Sequence, residues 1–259
     1  MRFGCCAGPE MGDVLVQAGY DYIELSVSRH LQPEMDDADW KTLRRQIEAL
    51  PLPPEAFNTF LPGDLKVTGP VVDEERIGRY LTVAFERAAE LGGQVIVFGS
   101  SGARNIPEGF PRGKAWQQLI GFLRRVGEEA SRVGMRVSIE PLNRSESNVI
   151  NKVSEAVRLA QEAGHPQVRA LADLYHMVRE EEPMEHLIAA GEQLAHVHVA
   201  DTDRWPPGTG SYPYTEFFSA LRRIGYDAHI SIECRWEDIG AQCGPALEFL
   251  RRMWDKTAS

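Results

Sequence analysis

The chain lacks the features that mark membrane, secreted and nucleic-acid-binding proteins. No window approaches 18 consecutive apolar residues, so we expect no membrane-spanning helix. Residues 1–13 lack the apolar segment of a signal peptide, which is about 7–15 residues long. A formal net charge of −10 argues against nucleic-acid binding, because phosphates require a basic face. These absences predict a soluble, cytoplasmic protein with neither nucleic acid nor a membrane as partner.

Cysteine is scarce, and its spacing does not suit a structural metal site. The chain has 4 cysteines, none in a C-x-x-C pair, which excludes a zinc ribbon and a thioredoxin-type site. A glycine-rich phosphate loop is missing as well, because residues 8–12 after the first predicted strand do not fit G-x-G-x-x-G. This disfavours an open, doubly wound sheet, which is the alternative fold.

Short apolar, β-branched runs alternate with longer amphipathic stretches along all 259 residues. The runs predict strands at 3–7, 21–26, 55–60, 94–99, 136–140, 168–173, 195–200 and 228–233. The stretches predict helices at 10–18, 37–49, 73–91, 113–133, 151–163, 183–191, 214–224 and 242–254. Eight such units predict an α/β protein with the (β/α)8 TIM barrel fold, as a single domain over residues 1–259. The longest loops follow strands, so they gather on the C-terminal face, where barrel active sites lie.

Metal-type ligands stand at the ends of the last four predicted strands: Glu140, Asp173, His198 and Glu233. Consecutive barrel strands end side by side, so these side chains converge on one point. A buried acid is costly unless it is paired or bound to a metal. Three carboxylates and one imidazole predict one divalent ion, with Mn2+ favoured and Mg2+, Co2+ or Zn2+ as alternatives. Cys234 follows Glu233 directly and is expected to face the other way.

Several other polar residues allow two interpretations. Glu24 ends the second strand and could face a substrate or simply pair with a cation. Arg104 and Asn105, and the turn at 208–210, could bind a phosphate, although ordinary turn formation is favoured for the turn. His196 and His229 share the inward parity of the predicted ligands but lie deeper, so packing in the barrel is favoured for both.

Four stretches carry a family resemblance: IEPLNRSE at 139–146, ADLYHMVREE at 172–181, HVHVADTDRWPPGTG at 196–210 and SIE at 231–233. Together they resemble the sugar isomerase/epimerase branch of the xylose isomerase-like barrels, nearest to the ketose 3-epimerases and hydroxypyruvate isomerase. The resemblance implies one divalent ion held by Glu140, Asp173, His198 and Glu233. It also implies that Glu140 and Glu233 exchange protons with a small sugar, sugar phosphate or hydroxy-carbonyl substrate.

The same resemblance implies substrate contacts by Glu146, His176 and Arg204, and Asn105 is added as a candidate from the fourth loop. An ion pair of Glu146 with Arg144 or Arg204 is an equal alternative. The chain has Ala200-Asp201 where the ketose epimerases have Gly-Glu, which leaves the substrate open.

The expected activity is isomerisation or epimerisation through a cis-enediolate, with an ion stabilising the charge and two glutamates moving the proton. A dehydratase resembling inosose dehydratase is the enzymatic alternative. Two further alternatives are disfavoured, namely a phosphodiesterase like the barrel endonucleases of abasic DNA and a catalytically silent sugar-binding barrel. The sequence leaves a homo-oligomer open.

Overall fold

Eight parallel strands form a closed barrel in a computed structural model that describes residues 1–258. The strands follow one another in chain order, and β1 pairs with β8 to close the sheet. The strands are β1 (Arg2–Cys6), β2 (Tyr22–Ser26), β3 (Pro54–Asn58), β4 (Val95–Phe98), β5 (Arg136–Ile139), β6 (Val168–Asp173), β7 (Leu194–Val199) and β8 (His229–Ile232). The predicted single-domain TIM barrel is therefore confirmed.

Helices follow the strands and cover the outside of the barrel. They are α1 (Gly12–Ala18), α2 (Asp37–Glu48), α3 (Glu74–Glu90), α4 (Ser101–Arg104), α5 (Arg112–Arg132), α6 (Val153–Ala163), α7 (Leu174–Arg179), α8 (Met184–Ala190), α9 (Tyr214–Arg223) and α10 (Ile239–Lys256). A π-helical turn at Val27–Leu31 and 3-10 turns at Pro9–Met11, Gly191–Gln193 and Thr202–Arg204 complete the set. The sequence did not predict α4, α7 or the π-helical turn, because each is only 4 to 6 residues long and lies in a loop after a strand.

Two predicted ligands lie just beyond their strands rather than inside them. Glu140 follows β5 and Glu233 follows β8. Both remain tied to the sheet by backbone hydrogen bonds, since Glu140 N–H donates to Phe98 O at 3.1 Å and Glu233 N–H donates to Val199 O at 3.0 Å. The neighbouring strands therefore still fix where these two side chains leave the backbone.

The main hydrophobic core lies between the barrel and its helices, whereas the barrel interior is small and rich in polar groups. Tyr22, Ala56 and Val95 form a separate apolar cluster. A Cβ on Gly4 would overlap the Tyr22 ring, so only glycine leaves room for it. The interior also holds the buried histidines His196 and His229, so part of the barrel is filled by imidazoles rather than by aliphatic side chains.

No helix within residues 1–258 is both long and apolar enough to cross a bilayer. The four cysteines are all free thiols. Burial raises the pKa of the Cys5 thiol well above its usual range.

Candidate metal centre and active site

The structure brings the four predicted ligands together at the C-terminal mouth of the barrel. Glu140, Asp173, His198 and Glu233 each offer one ligand atom, and all four atoms lie within 4.8 Å of one another. His198 Nδ1 lies 3.2 Å from Glu140 Oε1 and 3.6 Å from Glu233 Oε2. A divalent ion with bonds of about 2.0–2.4 Å fits such a group, because opposite ligands would then be about 4–4.8 Å apart.

Contacts with Gly99 and Arg104 fix the position of Glu140. Its side chain lies against Gly99, where a Cβ would overlap the carboxylate oxygen Oε2. Its carbonyl oxygen accepts a hydrogen bond from Arg104 Nη2 at 2.7 Å, while Arg104 Nη1 donates to Phe98 O at 2.8 Å. Glu140 is therefore held through its backbone carbonyl, and its side chain needs a glycine at position 99, directly after β4.

The same contacts argue against a phosphate-binding role for Arg104. Its side chain is fully buried, and its two terminal nitrogens already bind backbone carbonyls at the ends of β4 and β5. Burial lowers the pKa of this guanidinium to about 10. Arg104 supports the ends of two strands, and no face of it is exposed to a phosphate.

Asp173 has a structural role in addition to its place in the ligand group. Its Oδ1 accepts hydrogen bonds from Tyr175 N–H at 2.7 Å and from His176 N–H at 3.3 Å, which caps the N-terminus of α7. The other oxygen, Oδ2, lies 3.7 Å from His176 Nε2. One carboxylate thus starts a helix and still leaves an oxygen for a ligand.

Glu24 lies below His198 in the barrel and binds two histidines at once. Its Oε1 is 2.9 Å from His198 Nε2, and its Oε2 is 2.8 Å from His196 Nε2. Burial alone would raise the pKa of Glu24, but the two imidazoles outweigh it and hold the pKa well below its usual range. Burial lowers the pKa of His196 to about 4. Glu24 is therefore an ionised acid beneath the ligand group.

His198 is held between acids on both ring nitrogens. Burial would lower the pKa of this imidazole, but the charges of Glu24 and Glu233 raise it well above its usual range. In the absence of an ion, positive charge at this point is therefore favourable. That is the electrostatic property a cation site requires.

The carboxyl groups of Glu140 and Glu233 have opposite pKa shifts. Burial and the nearby Glu233 charge raise the pKa of Glu140. Burial would also raise the pKa of Glu233, but His198 and Arg204 outweigh it and lower this pKa to about 2. Two neighbouring acids with different proton affinities are the arrangement expected of a proton donor paired with a base.

A convergent ligand group on a closed barrel limits the number of families to which the chain can belong. The model of the xylose isomerase-like TIM barrel family matches residues 13–253. The chain belongs to this family. The sequence resemblance to that family is thereby confirmed.

Relatives within the xylose isomerase-like family are sugar epimerases by name. The ketose 3-epimerase of Arthrobacter globiformis is 39% identical over 110 residues, which are 42% of this chain and 38% of that protein. The match thus spans less than two thirds of that relative's length. The 3-dehydro-D-guloside 4-epimerase of Escherichia coli strain K12 is 31% identical over 194 residues, which are 71% of this chain and 74% of that protein.

A solved structure of the same fold extends the likeness to nearly the whole chain. The D-psicose 3-epimerase with D-tagatose from Clostridium cellulolyticum H10 has a TM-score of 0.86 and 21% sequence identity, covering 98% of this chain and 99% of that one. At this identity, the likeness shows that the two proteins share the barrel fold.

In the present chain, Arg204 and Glu146 lie beside the ligand group. Arg204 Nη2 donates to Glu233 Oε2 at 2.6 Å, and Nη1 lies 3.4 Å from both Glu146 carboxylate oxygens. The guanidinium also lies 5.1 Å from the centre of the Tyr175 ring. The ion pair of Glu146 with Arg204, one of the two alternatives, is present, while Arg144 pairs with Glu180.

His176 presents an unused donor at the edge of the site. Its Nδ1 lies 3.2 Å from Asn143 N and 2.9 Å from Asn143 Nδ2, so it accepts hydrogen bonds and the ring proton is on Nε2. This Nε2 atom is buried and has no hydrogen-bond partner within residues 1–258. A buried donor without a partner is costly, so it is a suitable contact for a substrate oxygen.

Asn105 and the turn at 208–210 are already occupied by contacts within the chain. Asn105 Oδ1 accepts from Ser147 Oγ at 2.7 Å and from Asn148 N–H at 3.2 Å, which anchors the loop after β5. The buried Asp201 carboxylate accepts from the backbone N–H groups of Thr202, Gly208 and Tyr212 at 2.8, 2.9 and 3.1 Å. The turn interpretation of 208–210 therefore agrees with the structure better than a phosphate site does.

Two contributors to the site were missed by sequence reasoning. Cys6, at the end of β1, offers a sulfur within 4.8 Å of ligand atoms of Glu24 and His198. His196 is buried in the barrel, as its depth predicts, but it also binds Glu24. The shared inward parity of Cys6, Glu24 and His196 was a signal for these contacts, but parity alone does not show which strands face each other across a barrel.

Proposed function

We propose that this protein is a divalent-metal-dependent epimerase of a small sugar, which inverts the carbon next to a ketone by proton transfer between Glu140 and Glu233. The observation that carries the proposal is the pair itself. Two carboxyl groups with opposite pKa shifts contact the same imidazole, His198, at the mouth of the barrel.

The names of the relatives support one reaction type. A ketose 3-epimerase and a 3-dehydro-D-guloside 4-epimerase differ in the position of the ketone. In both, the inverted carbon is adjacent to that ketone, so the hydrogen on it is acidic. This favours epimerisation over an aldose–ketose isomerisation or a dehydration.

The ligands fit a hard divalent ion, with Mn2+ favoured and Mg2+, Co2+ or Zn2+ as alternatives. Glu140, Asp173, His198 and Glu233 supply oxygen and nitrogen donors and no thiolate. Such an ion, when bound, supplies Lewis-acid stabilisation of the negative charge that develops on the substrate oxygens.

The two glutamates carry the proton. Glu233, which Arg204 and His198 keep ionised, accepts the proton from one face of the substrate carbon. Glu140, the second acid beside His198 Nδ1, delivers a proton to the opposite face. Inversion results because the proton leaves one face and returns on the other. The roles of the two residues exchange in the reverse reaction.

The remaining residues bind and orient the sugar. The free Nε2–H of His176 donates to a substrate oxygen. Glu146 and Arg204 offer an acceptor and a donor to its hydroxyl groups. Asn105 acts indirectly, because it holds the loop that carries Glu146.

A panel of free ketoses and 3-keto-glycosides, incubated with metal-stripped and Mn2+-loaded protein in D2O, tests this proposal. We expect epimer formation only with Mn2+, and deuterium at the inverted carbon. Turnover without deuterium at that carbon, or full turnover in stripped protein, would contradict the proposed chemistry.

A further inference from the structure

Glu24 is a fully buried carboxylate whose two oxygens are both used. Oε1 binds His198 Nε2 at 2.9 Å, and Oε2 binds His196 Nε2 at 2.8 Å and accepts from Ser231 Oγ at 2.5 Å. The Ser231 hydroxyl is hydrogen-bonded in turn to the Tyr22 hydroxyl at 2.7 Å. Donors from β7 and β8, two strands besides its own, therefore hold this carboxylate in a single orientation.

We propose that Glu24 is a positioning residue for the candidate metal centre, which fixes the His198 ring so that Nδ1 presents its lone pair to the ligand group. The inference rests on the proposed metal-dependent function and adds a role for a residue outside the ligand group.

The two ring nitrogens of His198 face different groups. His198 Nδ1 faces Glu140 and Glu233, whereas Nε2 faces Glu24. An ionised carboxylate accepts hydrogen bonds and cannot donate them, so the proton must stay on Nε2. Nδ1 is then free to bind a cation, and the negative charge behind the ring makes that nitrogen a stronger donor.

His196 provides a further hydrogen bond that fixes the orientation of the Glu24 carboxylate. His196 Nδ1 is buried and has no hydrogen-bond partner within residues 1–258, so the proton of this neutral ring lies on Nε2, toward Glu24. If the Glu24 carboxylate turned away from His198, it would also abandon the His196 and Ser231 donors. Rotation of the Glu24 carboxylate is therefore opposed by three hydrogen bonds, and the acceptor for His198 Nε2 stays in place.

The chain contains a matched control for this arrangement. Glu55 Oε2 lies 2.8 Å from His229 Nε2 at the N-terminal end of the barrel, and both residues are largely buried. Glu55→Gln removes a buried carboxylate–histidine pair at a distance from the ligand group. Loss of metal affinity caused only by a weakened barrel would appear in both variants.

Titration of metal-free protein with Mn2+ alone tests the inference in wild type, Glu24→Gln, Glu55→Gln and Asp173→Asn. We expect Glu24→Gln to weaken Mn2+ binding by about 10–100-fold. Glu55→Gln should stay within about 2-fold of wild type, and Asp173→Asn should lose most binding. Glu24→Asp, which keeps the charge but is one methylene shorter, serves if Glu24→Gln does not fold. It should weaken binding in the same direction.

Histidine ring 15N spectra of the Zn2+-loaded proteins give a readout that a general structural role would not change. In wild type, both His196 and His198 should carry the ring proton on Nε2. In Glu24→Gln, only one amide oxygen can accept, so at least one of these two rings should lose that signature. In Glu55→Gln, both should keep it.

Each failure has a distinct meaning. Equal Mn2+ affinity in wild type and Glu24→Gln, with binding lost in Asp173→Asn, would overturn the role of Glu24 and leave the proposed metal site standing. An equal loss in Glu55→Gln would also overturn it. Absence of Mn2+ binding in wild type would overturn the proposed function itself.

Discussion

Glu140 and Glu233 are the same residue type at the ends of two strands, yet the protein gives their carboxyl groups different proton affinities. Arg204 Nη2, at 2.6 Å from Glu233 Oε2, is the nearest cause, since no guanidinium touches the Glu140 carboxylate in the described part of the chain. The sequence predicted both residues as ligands because each ends a strand. It could not predict the difference, which depends on contacts with residues 29 or more positions away.

Glu140→Gln and Glu233→Gln keep size and an oxygen donor but remove the basic group. Each change should lower the epimerisation rate by on the order of 10^2–10^4. The loss should persist at saturating Mn2+, because proton transfer is what fails, and steady-state rates against Mn2+ concentration measure this. Recovery of the wild-type rate by added Mn2+ would show that the two glutamates serve only as ligands.

Gly99→Ala tests whether the position of the Glu140 carboxylate matters. The added Cβ would overlap Glu140 Oε2, so the carboxylate must move away from the ligand group. We expect weaker Mn2+ binding and a rate lower by on the order of 10^2, since small displacements at a reacting group are costly. Gly121→Ala in α5 is the control, because its Cβ meets no atom within 4 Å. It should keep full activity, and an equal rate for both variants would refute the packing argument.

At the scale of elements, sequence periodicity predicted the eight strands and the eight longer helices. It missed the short helices α4 and α7 on the face that carries the ligand group. The short helix α4 carries Arg104, whose side chain binds the ends of two strands, and α7 begins at the Asp173 cap. Such elements are too short to show a helical period. Their formation depends on tertiary contacts, which a local pattern does not contain.

The loop after β7 depends on one buried acid, Asp201, which accepts three backbone N–H groups. Asp201→Ala leaves those donors unpaired and should lower the free energy of unfolding by on the order of 2–4 kcal/mol. Because the loop carries Arg204, KM for the sugar should rise as well. Denaturant unfolding and substrate saturation curves measure the two effects. Asp201→Asn keeps one acceptor and should fall between wild type and Asp201→Ala. Unchanged stability in Asp201→Ala would show that the loop is held by other contacts.

At the scale of the whole molecule, the ligand group and the hydrophobic core are separate. The core lies between strands and helices, whereas the four ligands stand at the open mouth of the barrel. The barrel should therefore fold without metal, and stripping the ion should abolish activity while leaving the circular dichroism spectrum of the protein unchanged.

The same separation predicts how much a bound ion stabilises the protein. Binding to the folded state alone adds about 2.7 kcal/mol to the free energy of unfolding when free Mn2+ is about 100 times its Kd. Denaturant unfolding with and without Mn2+ measures this increment.

Asp173→Asn is the informative variant, because asparagine can still cap α7 while the ligand charge is removed. It should fold with nearly wild-type stability in the absence of metal and should gain little when Mn2+ is added at the same concentration. An increment equal to that of wild type would place the bound ion elsewhere in the protein, because the ion would then bind without the Asp173 carboxylate.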